Sequence, residues 1–162
     1  MKKTQKGKPV KVSQVEVNHL ILPHETTPRG YVLGGVVMQM VDMAGAIAAH
    51  RHSRRMVVTA SMDRIDFLHP IKVGHLMILK ASVNYVSRTS MEIGVKVFSE
   101  NILTGRQQHT ASAYLTFVAL DDNGMPTPAP KLISKTREER RRSRKAQMRR
   151  RARLREIKAK RR

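Results

Sequence analysis

A chain of 162 residues with 40% hydrophobic side chains is long enough for one domain with a sizeable core, and its lack of cysteine excludes a disulfide framework and any thiolate-bound metal. The formal charge of +20 is unevenly spread: Lys131 to Arg162 holds 17 Lys and Arg against 3 Glu, and Met1 to Val12 holds 5 Lys and no acid. Ser13 to Pro130 keeps 10 basic and 9 acidic residues, so a near-neutral body carries two basic tails. No run approaches the roughly 18 apolar residues of a membrane span, and no apolar segment follows Lys2 and Lys3, so a cytoplasmic location is expected.

In chain order, residues 1–12 read as a basic extension, 13–132 as the folded domain and 133–162 as a basic tail. The stretch Lys11 to Leu22 is strand-like and stops at Pro23, and "HETTPRGYVLGG" reads as a loop punctuated by Pro28, Gly30, Gly34 and Gly35. The Ala- and Met-rich run that follows predicts a helix from about Gly35 to His52, with Arg51, Arg54, Arg55, His50 and His52 crowding its C-terminal end, where cations suit the helix dipole. Everything afterwards reads as strand: "MVVTASMDRIDFLHP", "HLMILKASVNYVS", "SMEIGVKVF" with its alternation of apolar and other residues, a turn at "LTGR", and "QQHTASAYLTFVAL". A single helix that is apolar all round needs enclosure, which a curled antiparallel sheet and a second copy of the chain provide. The fold class is therefore α+β and the protein an oligomer. Past the prolines of "GMPTPAPKL", the arginine-rich tail has too few apolar residues for a core and is expected to be disordered, or helical only on binding.

One residue breaks the apolar helix. Asp42 lies about two turns in, beyond reach of capping or of the N-terminal dipole. Gln39 shares its face, and Ala46 and Ala49 continue the line with small side chains. A buried carboxylate must be paired, solvated or protonated, so a structural pairing with an arginine or a backbone amide inside a dimer and an active-site acid or base stand as equal alternatives on the residue pattern. The glycines of "LGG" bring bare backbone N–H groups to the helix N-terminus, a place for an anion or a developing oxyanion. His50 and His52, flanked by arginines, fit a solvated cationic cluster better than a metal pair, and no metal is assigned.

The residues "LP", "GYVLGGVVMQMVDMAGAIAAHRH", "VVTASMDRIDFLHPIKVGHLM", "SRTSMEI" and "ASAYLTFVALDDNGMPTPAP" resemble, in order and spacing, the hot-dog-fold acyl-CoA thioesterases over roughly Asn18 to Leu132. The resemblance implies a hot-dog fold, with active sites built from two protomers, commonly within trimers of dimers. Its substrate class is acyl-coenzyme A, hydrolysed to free fatty acid and coenzyme A, with no cofactor beyond the coenzyme A of the substrate. It implies that Asp42 is the catalytic helix carboxylate and that the Gly35 N–H binds the thioester oxygen, with Gly34 beside it. Thr59 and Ser61 match positions near the reacting centre, and Arg88, Thr89, Ser90 and Met91 match a segment lining the coenzyme A groove. Many members carry Asn or Asp as a polar partner at the position of Tyr31; Thr26, Thr27 and His24 in the same loop are the substitutes available here.

Two other classes compete. A non-catalytic acyl-CoA-binding regulator would use the basic tail on nucleic acid, although no helix-turn-helix precedes Asn18; a dehydratase would want a histidine where the chain has Tyr31, Val32 and Leu33. Apart from solubilising the protein, the tail suits non-specific contact with nucleic acid or an anionic surface.

Overall fold

The computed structural model describes residues 5–161; the first four residues of the basic N-terminal extension, and Arg162, lie outside the described residues. The elements run β1 (Lys8–Pro9), β2 (Val15–Leu20), α1 (Gly34–Ser53), β3 (Met56–Met62), β4 (Asp66–Phe67), β5 (Leu76–Val86), β6 (Ser90–Glu100), β7 (Gln107–Leu120), β8 (Leu132–Ile133) and α2 (Arg137–Lys160). The main sheet is antiparallel in the order β2-β5-β6-β7-β3, and β4 also pairs with β7. No described helix is long and apolar enough to cross a membrane.

The alternation legible in the sequence sets the two faces of the sheet. Leu79, Ala81 and Val83 of β5, Ile93, Val95 and Val97 of β6, and Ala113, Leu115 and Phe117 of β7 join Val37, Val41, Ala44, Ala48 and Ala49 of α1 in one buried cluster. The helix passes so close over β7 that a Cβ on Gly45 would lie 3.0 Å from the Phe117 ring. This is the α+β arrangement of one enclosed helix that the apolar periodicity called for. The segment read as one strand from Lys11 is instead a 3-10 turn at Val10–Ser13 followed by β2, and "MVVTASMDRIDFLHP" divides into β3 and β4.

Both chain ends are tied to this body. β1 pairs in parallel with β8, Val10 is buried, and the Lys8 ammonium donates to the His52 carbonyl at 2.7 Å. His52 is fully buried at the end of α1, with Nε2 2.8 Å from the Pro130 carbonyl and Nδ1 without a partner. Burial pushes its pKa down, opposed by the Pro130 contact and reinforced by Lys8. The unfolded chain therefore binds the proton more readily than the fold does. Stability is expected to be full above about pH 6.5, the unfolded value, and to fall as pH drops from there toward the lowered native value. Urea midpoints measured from pH 7.5 to 5 check this; a His52→Gln variant should lose that part of the slope.

The basic C-terminal segment departs from expectation: it is a 24-residue helix docked on the sheet face opposite α1. A capping box starts it, with Thr136 Oγ1 accepting from Glu139 N–H at 3.1 Å and the Glu139 carboxylate accepting from Thr136 N–H at 3.0 Å. Apolar burial does not hold it, since Ala146 is the buried residue of the helix. Charge does: Arg149 bonds Glu92 at 2.7 Å and lies 3.6 Å from the Tyr114 ring centroid, and Arg153 reaches Asp63 at 3.3 Å. Glu92 on the outward face of this sheet and Asp63 just after β3 are each paired with an arginine of α2.

Candidate active site

Loop and helix together build the site. His19 contacts the Glu25 carboxylate at 2.7 Å, the Leu33 N–H donates to the Glu25 carbonyl, and the Val32 N–H donates to the Ile71 carbonyl. The Thr27 N–H donates to the Tyr31 carbonyl and the Gly30 N–H to the Thr27 carbonyl, both at 2.8 Å, so Thr27 and Tyr31 face each other across one turn. Gly30, at φ +78°, supplies the left-handed residue this turn needs. The loop is thereby fixed where it delivers the chain to the start of α1.

Leu33 caps α1 without any side-chain hydrogen bond, and the first intrahelical donors are the Val36 and Val37 N–H groups. The N–H groups of Gly34 and Gly35 are thus left to an external acceptor. A Cβ built on Gly34 would lie 3.7 Å from Phe67, whereas one on Gly35 meets nothing within 4 Å. Packing within the chain gives no reason for glycine at 35; its bare surface faces open space.

Asp42 is half-buried on the same helix face. Thr59 of β3 donates its hydroxyl to Asp42 Oδ1 at 2.7 Å. The ladder between β3 and β7 shifts between Thr59 and Ser61, making Ala60 the extra residue of a bulge. Such bulges re-aim side chains at sheet edges. The Ser61 hydroxyl is buried and has no partner among the described residues. No cation pairs with Asp42 among the described residues, and its one side-chain partner among them is Thr59.

The remaining predicted residues divide. Arg88 is exposed in the β5–β6 turn, which is anchored by Ser87 N–H to the Ser90 carbonyl and by Ala119 N–H to the Thr89 carbonyl. The Met91 side chain is fully buried in the core, so it lines no surface groove. Tyr31 is half-buried and bridges to Lys72 through the backbone. Missing from the sequence reading was the bulge at Ala60, for which the residues give no signal.

Gly35 and Asp42 are seven residues apart on one helix face, about 10 Å along its axis. The Gly35 N–H points toward the N-terminus, away from Asp42. One chain therefore does not bring both to a single carbonyl group.

A family model of the thioesterase superfamily matches residues 29–105. Over 129 residues the chain is 42% identical to an uncharacterized acyl-CoA thioester hydrolase of Bacillus subtilis, covering 80% of this chain and 75% of that one. An acyl-CoA hydrolase from Staphylococcus aureus, solved in complex with butyryl coenzyme A, coenzyme A and coenzyme A disulfide, superposes with a TM-score of 0.87 at 34% identity, covering 95% of this chain and 94% of that one. That enzyme has also been solved with an aspartate, a threonine or an asparagine replaced by alanine, the threonine lying 17 residues after the aspartate and the asparagine 15 before it. An apo-hexameric acyl-CoA thioesterase superposes with a TM-score of 0.90 at 37% identity, covering 94% and 98%. The fold is the hot-dog fold of thioesterases. The chain belongs to the acyl-CoA thioester hydrolase family of the thioesterase superfamily.

Proposed function

We propose that this protein hydrolyses acyl-coenzyme A to the free acid and coenzyme A, at sites shared between two protomers. The observation that carries the proposal is the Asp42 carboxylate, held mid-helix by Thr59, unpaired by any cation among the described residues and half open to solvent. A coenzyme A thiol with pKa near the ~8.5 of cysteine leaves readily as thiolate, so the reaction needs a base and an anion site more than a strong acid. Asp42 of one protomer takes a proton from water, whose oxygen attacks the thioester carbon, or attacks that carbon itself to form a mixed anhydride that a water then hydrolyses to the free acid and the restored carboxylate. The partner's Gly35 N–H accommodates the oxyanion, the C–S bond breaks, and the thiolate leaves with coenzyme A.

The spacing in the S. aureus enzyme supports the assignment. Asp42 and Thr59 are likewise 17 residues apart, and the residue 15 before Asp42 is Thr27. Thr27, rather than its turn partner Tyr31, is thus the residue we place opposite Asp42 as the water-holding polar group. Arg88, Thr89 and Ser90 form the approach for the coenzyme A portion.

Self-association follows from the exposed side of α1. Met38, Met43 and Ile47 are among the exposed large apolar residues, and β3 is an unpaired sheet edge. A second copy covers both, and the hexameric relative supports a trimer of dimers. Met43→Glu is expected to convert the protein to monomers in light scattering after gel filtration, because burying a methionine is worth about 1.5–3 kcal/mol and a carboxylate reverses that gain; an unchanged mass would place the dimer elsewhere.

Release of free thiol from short-, medium- and long-chain acyl-CoA by the purified full chain tests the activity. Turnover is expected with at least one chain length; absence of thiol release from all three contradicts the proposal. Thr59→Val should lower the rate by about 10-fold, a loss of about 1.4 kcal/mol, within the range for a hydrogen bond to a charged group.

A further inference from the structure

We propose that the sheet face opposite α1 carries a second binding site, for a small molecule bearing two linked phosphate groups. A groove of about 680 Å³ runs between α2 and the sheet, with Lys80, Lys96, Arg141, Arg142 and Lys145 facing into it. That volume falls within the range of small-molecule sites.

Three observations point to an anion. The strand register sets Lys80 of β5 between Glu16 of β2 on one side and Lys96 of β6 on the other, and the like charges of Lys80 and Lys96 repel. Across the groove α2 adds Lys145, which pairs with no carboxylate among the described residues, and Arg141 with Arg142, which share the single carboxylate of Glu138. The two arginines and Glu138 already form one cluster that holds its carboxyl down to about 2, chiefly through the Arg141 hydrogen bond, so Glu138 remains an anion and is fully committed to them. The second carboxylate of the groove, Glu16, makes no salt bridge to any of these cations. With Arg149 of the lining neutralised by Glu92, five cations meet two carboxylates, a surplus of about three charges, which suits a terminal diphosphate, given that one phosphate ester carries about −1.5 to −2. On the floor, the Ser82 hydroxyl is buried without a partner and supplies a neutral donor.

Asp42 and Gly35 sit on α1, against the other face of the sheet, so this groove is separate from the thioester site. The wall formed by α2 is itself held by the Arg149–Glu92 pair, which keeps its cations over the lysines.

Isothermal titration with inorganic pyrophosphate and with ADP, at constant ionic strength, tests the site. Saturable binding to the full chain is expected, weakened at least 10-fold in Lys96→Gln and in Lys145→Gln. Similar affinity for the two probes assigns the recognition to the phosphates alone; tighter ADP assigns it to a nucleoside diphosphate. Lys96→Gln removes the opposed like charge, so without ligand it should be at least as stable to urea as the parent, which separates lost binding from unfolding. No saturable binding of either probe, or equal binding by parent and both variants, overturns the proposal.

Discussion

Asp42→Asn is expected to lower acyl-CoA turnover by about 10²–10⁴-fold, the range of general-base action, while leaving the fold in place. The asparagine keeps the carbonyl oxygen that accepts the Thr59 hydroxyl, now 2.7 Å from Oδ1, and it is nearly the same size. What it loses is the ability to take a proton from water or to attack a carbonyl carbon. Steady-state thiol release beside circular dichroism and gel filtration reads both halves of the expectation. Full activity in the variant would remove Asp42 from the chemistry in either role.

A large loss of stability is expected from Arg149→Ala. Glu92 is only 4% exposed, and the guanidinium is its ion-pair partner at 2.7 Å as well as a cation on the Tyr114 ring. Removing the arginine leaves the Glu92 charge with only the Asn84 amide, which donates to it at 3.2 Å, and breaking a buried pair in this way costs about 3 kcal/mol, whereas replacing both partners by uncharged residues costs much less. The urea midpoint of Arg149→Ala should therefore fall sharply, and that of Arg149→Met combined with Glu92→Leu should lie close to the parent. Equal, small effects in the two would mean that α2 is not held by this pair.

The helix and the carboxylate inside it were legible because both are local. The Ala- and Met-rich stretch from Gly35 to His52, without strand propensity, gives α1 to within a residue at either end, and an Asp beyond the first turn is conspicuous without any structure. The partner of that Asp was not legible from the residue pattern. Thr59 reaches it from a strand 17 residues away through a bulge at Ala60, a feature of how β3 meets β7 that nothing in "VTAS" announces. The family resemblance put Thr59 near the reacting centre, and the geometry supplies the bond.

The basic segment failed for the opposite reason. Its composition argues against a core, correctly, since it buries almost nothing apolar. Composition does not register that Glu92, read as an outward residue of a half-buried strand, is a partner for an arginine of this segment. The Thr136–Glu139 capping box was nonetheless present in "TREE" as a helix start. Met91 shows a limit of carry-over by position: its segment matched a ligand groove, yet its side chain faces the core because the alternation of β6 turns it inward.

The central claim, that Asp42 of one protomer works with Gly35 of its partner, is tested most directly by mixing two inactive variants. Gly35→Val blocks the anion site with a side chain whose Cβ has open space around it, and Asp42→Asn removes the base. Co-expressed, the two form mixed dimers in which one of the two sites has both residues intact, and random pairing should restore roughly a quarter of parental turnover. No recovery in purified mixed dimers would contradict a shared site.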